Sequence, residues 1–448
     1  DIDPFDGSPA DLVEQASSLA LATVGPAWAS TPPAAPAKVD ILDPDLVKRE
    51  LDAVALGTLA RFRRPDRATA TATPGGGAAA ATPAITVTVT ATAEVLRERV
   101  TVIASSGFHA SWLATALRAD AILSTGEHSL TVSRHARRGD DLDLDAALAA
   151  ADDDLRLLTA AGPPSPGPCA LWLGPEALIP GPGSGPGSGP GSSSGPGSGP
   201  GSNPAPSRGI SAGLDLDLGG SGGRGLSDGP RPASDDRTTL VRNDRSGNLD
   251  DYGVWTVFAQ QADSAIERQG LTRYRLHADI AHGASQLAEP LSIASDGALD
   301  FATLSLPVTD DAVAIRRFPL IDRGVAVGLG LSPREAAFRR TDPNGGVRNL
   351  VIGPGTWSPS PSPTARTLEI RRLHALSIDP YTGEATLDIA LGLDHRPGRS
   401  TPTPFTGGTL HLDLVTTLAR ARRSSQLIRR GAYHGPASIF IDDAELIV

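Results

Sequence analysis

Methionine is absent from all 448 positions, the first included. Residue 1 therefore says nothing of the true start. The opening "DIDPFDG" has no basic n-region and no signal-peptide character. Cysteine occurs once, as Cys169, which excludes a disulfide framework or a cysteine metal cluster within one chain. Lysine is confined to Lys38 and Lys48. With the heavy use of Ala, Gly and Pro, this reads as codon bias in a GC-rich genome rather than as function. No run of 18 apolar residues occurs, so no membrane span is expected. A basic surplus is missing too. The net charge is −11, whereas a dedicated nucleic-acid binder needs a basic face to neutralise phosphate. The expectation is a cytoplasmic protein with neither nucleic acid nor membrane as a partner.

What is present fits a globular protein: 40% hydrophobic and 20% charged residues. The length exceeds what one core usually serves, so two or three domains are expected. Residues 11–22 can form a short helix. "DPDLVKRELDAVALGTLARF" reads as a helix with Asp43 as N-cap and Val47, Leu51, Val54, Ala55 and Phe62 on one face. "AITVTVTATA" and "VTVIAS" alternate with period two and predict sheet. "DLDLDAALAAADDDLRLLTAAGPP" is an amphipathic helix with Leu144, Leu148, Ala151, Leu155 and Leu158 on one stripe, ended by Gly162-Pro163. From Pro180 to about Pro232, Gly-Pro-Gly-Ser units have nothing to bury and read as a flexible insertion or linker. Beyond it, "YGVWTVFAQQADSAIERQG" predicts a helix. "LSIDPYTGEATLDIALGL" predicts a hairpin turning at Asp379, Pro380 and Gly383. "TTLARARRSSQLI" predicts a late helix, and "PASIFIDDAELIV" a closing strand or strand pair.

The motifs that could carry chemistry are weak. "GISAG" (209–213) and "GGSGG" (219–223) match the serine-nucleophile pattern, but both lie in Gly-rich linker, which supplies no strand-to-helix elbow. His277 and His282 are five apart with no glutamate between them, the wrong spacing for one helix face. His128 and His135 are seven apart, so a strand points them to opposite faces. The acidic doublets in "TDD" (309–311) and "IDD" (441–443) read equally well as turns. Arginine pairs at 316–317, 339–340, 371–372, 422–423 and 429–430 read as solvated surface. No catalytic residue, cofactor-binding residue or metal ligand is assigned from these patterns.

From Val39 onward the chain resembles the TldD/PmbA family, the TldD/TldE metallopeptidases also called modulators of DNA gyrase. The resemblance rests on "VDILDPDL", "VTVIASSGFHASW", "CALWLGPEAL", "LTRYRLHADI", the segment ending "RRFPLIDRGV", "GGVRNLVIGPGT", "LHALSIDPYTGEATLDIALGL" and "FTGGTLHLDL", in family order. It covers most of the chain except about 180–250. In the family's active member, the strand like "CALWLGPEAL" leads into a helix bearing H-E-x-x-x-H, and a cysteine near the C-terminus completes a zinc site. Here H-E-x-x-x-H is absent, no histidine lies between His135 and His277, and "GAYHGPASIFIDD" has no cysteine. Cys169 reads as lying before the strand, not at the C-terminal position. The family also holds a partner subunit, TldE or PmbA, without the zinc motif, and this chain resembles that type.

The resemblance implies an α+β fold: a shortened N-terminal segment (1–45), a central mixed α+β domain (46–165), and a C-terminal domain (166–448) rich in curved antiparallel sheet with the insertion at about 180–235. It implies a subunit without its own catalytic zinc and without another cofactor. Such a subunit would pair with a zinc-bearing TldD-like homologue, or with itself as a homodimer, around unfolded or flexible peptide. Two other readings stay open: a stand-alone peptide-binding or scaffolding protein, and a degenerate peptidase with substitute ligands such as His277, His282 or His434.

Overall fold

The computed structural model describes residues 35–62, 87–103, 107–126, 128–180, 252–358 and 364–448, and the backbone alone over 210–216. The expected helix at 11–22 lies outside these residues.

The expected helix at 43–62 is two: α1 (Pro44–Val47) and α2 (Leu51–Phe62). Asp43 caps α1, its Oδ1 accepting from the backbone N–H groups of Asp45 and Leu46. Arg97 Nη1 donates to the Val47 carbonyl at 3.1 Å, so a side chain takes a carbonyl that a continuous helix would use. Sheet formation goes the other way. The two strand segments expected around 84–105 fuse into one strand, β1 (Thr88–Ile103). It pairs antiparallel with β2 (His109–Thr125), and β2 with β3 (His128–Ala136). One face of this sheet is buried, with Val89, Ala91, Ala93 and Val95 under α2 and α3 (Leu144–Thr159). The alternate threonines Thr88, Thr90 and Thr92 face outward. All five stripe residues expected on α3 are buried.

The insertion is not wholly without pairing. Residues Ile210–Leu216 form β5 on the free edge of β1, Val89 opposite Leu216 and Val95 opposite Ile210. Residues 210–213 of "GISAG" are therefore on a strand. Alternation of Ile210, Ala212 and Leu214 in that stretch, hidden among glycines, was the signal for it.

The C-terminal half holds two further sheets. β4 (Gly167–Leu173), β10 (Thr367–Ile378), β11 (Glu384–His395), β13 (Thr409–Asp413) and β17 (Ile439–Ile447) pair in the order β10-β4-β17-β13-β11, and β11 pairs back onto β10. The sheet thus closes on itself, which removes exposed strand edges. Its one parallel pair is β4 with β10. β12 (Thr403–Phe405) and β14 (Arg422–Arg423) attach to β11 and β17. The third sheet runs β15 (Leu427–Arg430), β16 (Tyr433–Pro436), β9 (Asn349–Ile352), β6 (Ile293–Asp296), β7 (Arg317–Asp322), β8 (Val325–Ala326). The hairpin turn falls at Asp379–Gly383, where Asp379 Oδ1 accepts from Tyr381 and Thr382 N–H and Gly383 takes φ +78°. The fold is α+β.

The late helix expected at 416–428 is cut short. It spans Leu414–Arg420, after which Ala421 is extended and Arg422 and Arg423 pair with β17. Tertiary pairing overrides helix propensity there. "IDD" at 441–443 is a bulge in β17, not a turn: the register shifts between Ile441 and Ala444.

The two ends of the long insertion meet. A Cβ placed on Gly253 would lie 2.0 Å from the Leu178 carbonyl, so the chain returns beside the point where it left. Residues 181–209 are nearly all Gly, Pro and Ser. Halving that stretch changes loop-closure entropy by about 0.6 kcal/mol. Deleting residues 187–201 is expected to leave the melting temperature within about 2 °C, read by circular dichroism. A larger fall would mean that this stretch packs on the core.

Candidate functional site

β4 runs inside the closed sheet between β10 and β17 and delivers the chain to Gly174, whose N–H donates to the Ile370 carbonyl at 3.0 Å. Pro175 then opens a one-turn helix, α4 (Pro175–Leu178). Ala177 and Leu178 are buried, and Glu176 is the one charged residue of the turn.

Glu176 is where the three sheets meet. It accepts from Arg134 of β3 (2.6 and 3.3 Å), Arg372 of β10 (3.2 Å) and Arg430 of β15 (2.6 Å). Its side chain is 12% exposed. Burial pushes its pKa up, but Arg430, Arg372 and Arg134 outweigh burial and hold the carboxyl well below the usual range. Arg372 also donates through Nε to Asp154 Oδ2 of α3 (2.7 Å), and Arg371 Nε to Asp154 Oδ1 (2.6 Å). Glu369 takes Arg371 Nη1 (3.4 Å) and His395 Nε2 (3.0 Å). The result is a continuous buried ion network. A carboxylate with this pKa is a poor proton acceptor near neutrality.

This turn follows the strand that the resemblance aligns with the zinc-bearing element. Its donors do not fit zinc: the one carboxylate is engaged by three guanidinia, which would repel a dication. Among the described residues no group of three or more His, Cys, Asp or Glu is placed to hold a metal.

A separate cleft of about 430 Å³ opens in the C-terminal half. Its walls come from the helix pair α5 (Thr256–Gln261) and α6 (Ser264–Arg268), the loop 306–311, the start of α7 (Pro333–Arg339), and the loop 345–348. It unites the "TDD" and "GGVRN" stretches that sequence reading left apart. Asp263 caps α6, Oδ1 accepting from Ala265 and Ile266 N–H (2.8 and 3.1 Å). Ser332 caps α7. Thr309 is buried in a turn that projects Asp310 and Asp311 outward. Arg348 lies deep in the wall, its Nε on the Gly345 carbonyl (3.1 Å), and burial lowers its pKa. Gly345 and Gly346 both take positive φ, +85° and +80°, and a Cβ on Gly346 would meet nothing within 4 Å.

The candidate substitute ligands do not assemble. His277 and His282 are exposed, and His277 has φ +66°. His434 sits on β16, where burial first, then Arg429 and Arg317, lower its pKa and keep it neutral. β3 runs unbroken through His128 and His135. Cys169 lies within β4; its thiol donates to the Ala444 carbonyl (3.7 Å), and burial raises its pKa. The arginine pairs depart most from their surface reading. Arg372 and Arg423 are 6% and 3% exposed, and Arg430 is 17% exposed at the side chain. Sequence reasoning missed Glu176 and Asp154. The signal for Asp154 was present: it lies on the apolar stripe of α3 with Ala147, Ala151 and Leu158. An acid there needs a buried cation.

No family model matches the sequence, and no curated protein matches it. Solved structures share its fold. TldE from Thermococcus kodakarensis is 14% identical, with 99% of this chain and 86% of that one covered and a TM-score of 0.61. A protein from Thermotoga maritima described as a modulator of DNA gyrase is 13% identical, over 98% and 84% of the chains, at 0.63. One of the same description from Bacteroides thetaiotaomicron is 12% identical, over 92% and 74%, at 0.59. The α+β architecture of this chain, with its closed C-terminal sheet, is therefore the fold of TldE and of the modulators of DNA gyrase, the TldD/PmbA fold.

Proposed function

We propose that this chain is a non-catalytic subunit of a TldD/TldE-type metallopeptidase in the cytoplasm, acting on unfolded or flexible peptides beside a zinc-bearing homologue. The observation that supports this is Glu176. The turn after β4 is occupied by a carboxylate tied to three arginines from three sheets. That arrangement fits a structural clamp and supports a role without a metal-activated water at this turn. The cleft between α5–α6 and the Gly345–Gly346 loop is the surface on which peptide would rest.

The test mixes this chain with the H-E-x-x-x-H homologue from the same genome. Size exclusion should show a stable complex, and the mixture should cleave an unstructured peptide that this chain alone leaves intact. Metal-dependent cleavage by this chain alone would overturn the proposal. Failure to associate with any such homologue would leave the homodimer or a stand-alone peptide binder.

A further inference from the structure

The buried apolar side chains fall into separate clusters, and a belt of polar groups lies between the two large ones. Every member of the largest cluster is at residue 169 or later. The second cluster holds residues 46–158 and a single side chain from the C-terminal half, Leu391. A small third patch joins Val102 and Ala110 to Val308. The described residues therefore form two cored units. One is α1–α3 with β1–β3 and the paired β5, and the other is the rest of the chain from β4 onward.

Polar groups hold the boundary at two patches. The first is the ion network, where Arg134 crosses to Glu176 (2.6 Å) and Arg371 and Arg372 cross to Asp154 (2.6 and 2.7 Å). The second is the segment 299–307. Arg137, 4% exposed, donates to the carbonyls of Ala302 (2.9 Å), Thr303 (2.8 Å) and Ser305 (3.1 Å). Beside it, the Ala37 N–H donates to the Pro307 carbonyl (2.9 Å) and the Phe301 N–H to the Asp40 carbonyl (2.6 Å).

Such a boundary opens more cheaply than a core. A core resists parting because its apolar surface meets water. Buried ion pairs return much of their attraction as desolvation cost, so hydrating both partners together costs far less. The closed boundary also leaves Arg134 Nε, Arg372 Nη2 and Thr303 Oγ1 buried without hydrogen-bond partners, and water satisfies them on parting. Losing one partner alone strands a buried charge, which favours opening of the whole boundary over fraying of one pair.

We infer that the two units part and redock as whole bodies, with the arginine–carboxylate network as the latch and each core intact throughout. This goes beyond the subunit reading and stands without it. It gives physical content to relative domain motion, the ordinary behaviour of units that share a polar interface.

The test reads amide hydrogen exchange of the full chain by mass spectrometry. The boundary is followed in 299–307 and in 403–407, where the Thr406 N–H donates to the Gly162 carbonyl. The cores are followed in the β1–β2 and β10–β11 ladders. The Asp154→Asn/Glu176→Gln variant removes both carboxylate charges and keeps their shape. It is expected to speed exchange in 299–307 at least about tenfold, with both ladders within about twofold of the wild type. Neither substituted carboxylate bonds to that segment, so loosening confined to the network leaves it unmoved. Circular dichroism matching the wild type shows that both units are folded. The wild type in rising, sub-denaturing urea gives the same answer without a substitution. There 299–307 and 403–407 should converge on one opening, lower in free energy than that of either ladder. Boundary and ladders accelerating together would make the chain one cooperative body and overturn the inference. So would an unmoved 299–307 in the folded variant, or boundary segments that open independently in urea.

Discussion

Glu176→Ala is expected to destabilise the chain by about 3–5 kcal/mol, the cost of breaking a buried ion pair and leaving its partners uncompensated. Three guanidinia converge on this carboxylate. Arg134 Nε and Arg372 Nη2 are already buried without partners, so the site has no spare acceptor for the donors released. Glu176→Gln keeps the shape and one acceptor and should fall between the wild type and the alanine variant. Acid should act in the same direction. The folded pKa of Glu176 is depressed, so its stabilisation is complete above the unfolded value near 4.3 and is lost as pH falls below that toward the folded value. The wild type should therefore weaken below about pH 4 more steeply than Glu176→Gln. Urea unfolding at pH 7 and at pH 3 measures both effects. An unchanged midpoint for Glu176→Ala at pH 7 would mean that the three sheets hold together without this clamp.

Gly253→Ala is expected to cost about 3–5 kcal/mol, far more than a glycine substitution on an open surface. Two terms add. Gly253 has φ +56°, and an L residue in the left-handed region costs about 1–2 kcal/mol. Its new Cβ would also lie 2.0 Å from the Leu178 carbonyl, 2.9 Å from the carbonyl carbon and 2.8 Å from the Ile179 Cα. Those are backbone atoms of a buried turn, and moving them disturbs the packing around Trp255 and Leu178, both fully buried. Gly270→Ala separates the terms. It has φ +74° but nothing within 4 Å of the added Cβ, so only the backbone cost of about 1–2 kcal/mol applies. Thermal unfolding of the two variants decides the matter. Equal losses would show that the crossing of Tyr252–Trp255 over the end of α4 tolerates displacement.

Period and punctuation determined much of this protein locally. The stripe on α3, the long alternation of β1 and the Asp379–Gly383 turn all follow from side-chain spacing and turn chemistry within about 20 residues, and the structure has each of them. The motifs quoted in family order carried the α+β fold, which the solved structures share. Tertiary structure decided where local preference was weak or divided. "LARARR" can continue a helix, yet Arg422 and Arg423 pair with β17 because the strand needs a partner more than the helix needs another turn. β4 lies between β10 and β17, over 190 residues away in sequence, and no local pattern announces a sheet that closes on itself.

The same holds for the charges. Arginine doublets look alike in sequence whether they meet water or a buried acid, because the sign of a side chain carries no information on its depth. Only folding brings Arg134, Arg372 and Arg430 onto Glu176. Only folding brings Asp310 and Asp311 into the lining of one cleft with the Gly345–Gly346 loop. Helix and turn are local because their hydrogen bonds close within four residues. The ion network joins segments hundreds of residues apart and the cleft joins segments tens of residues apart, so the geometry of both exists only once the chain has packed.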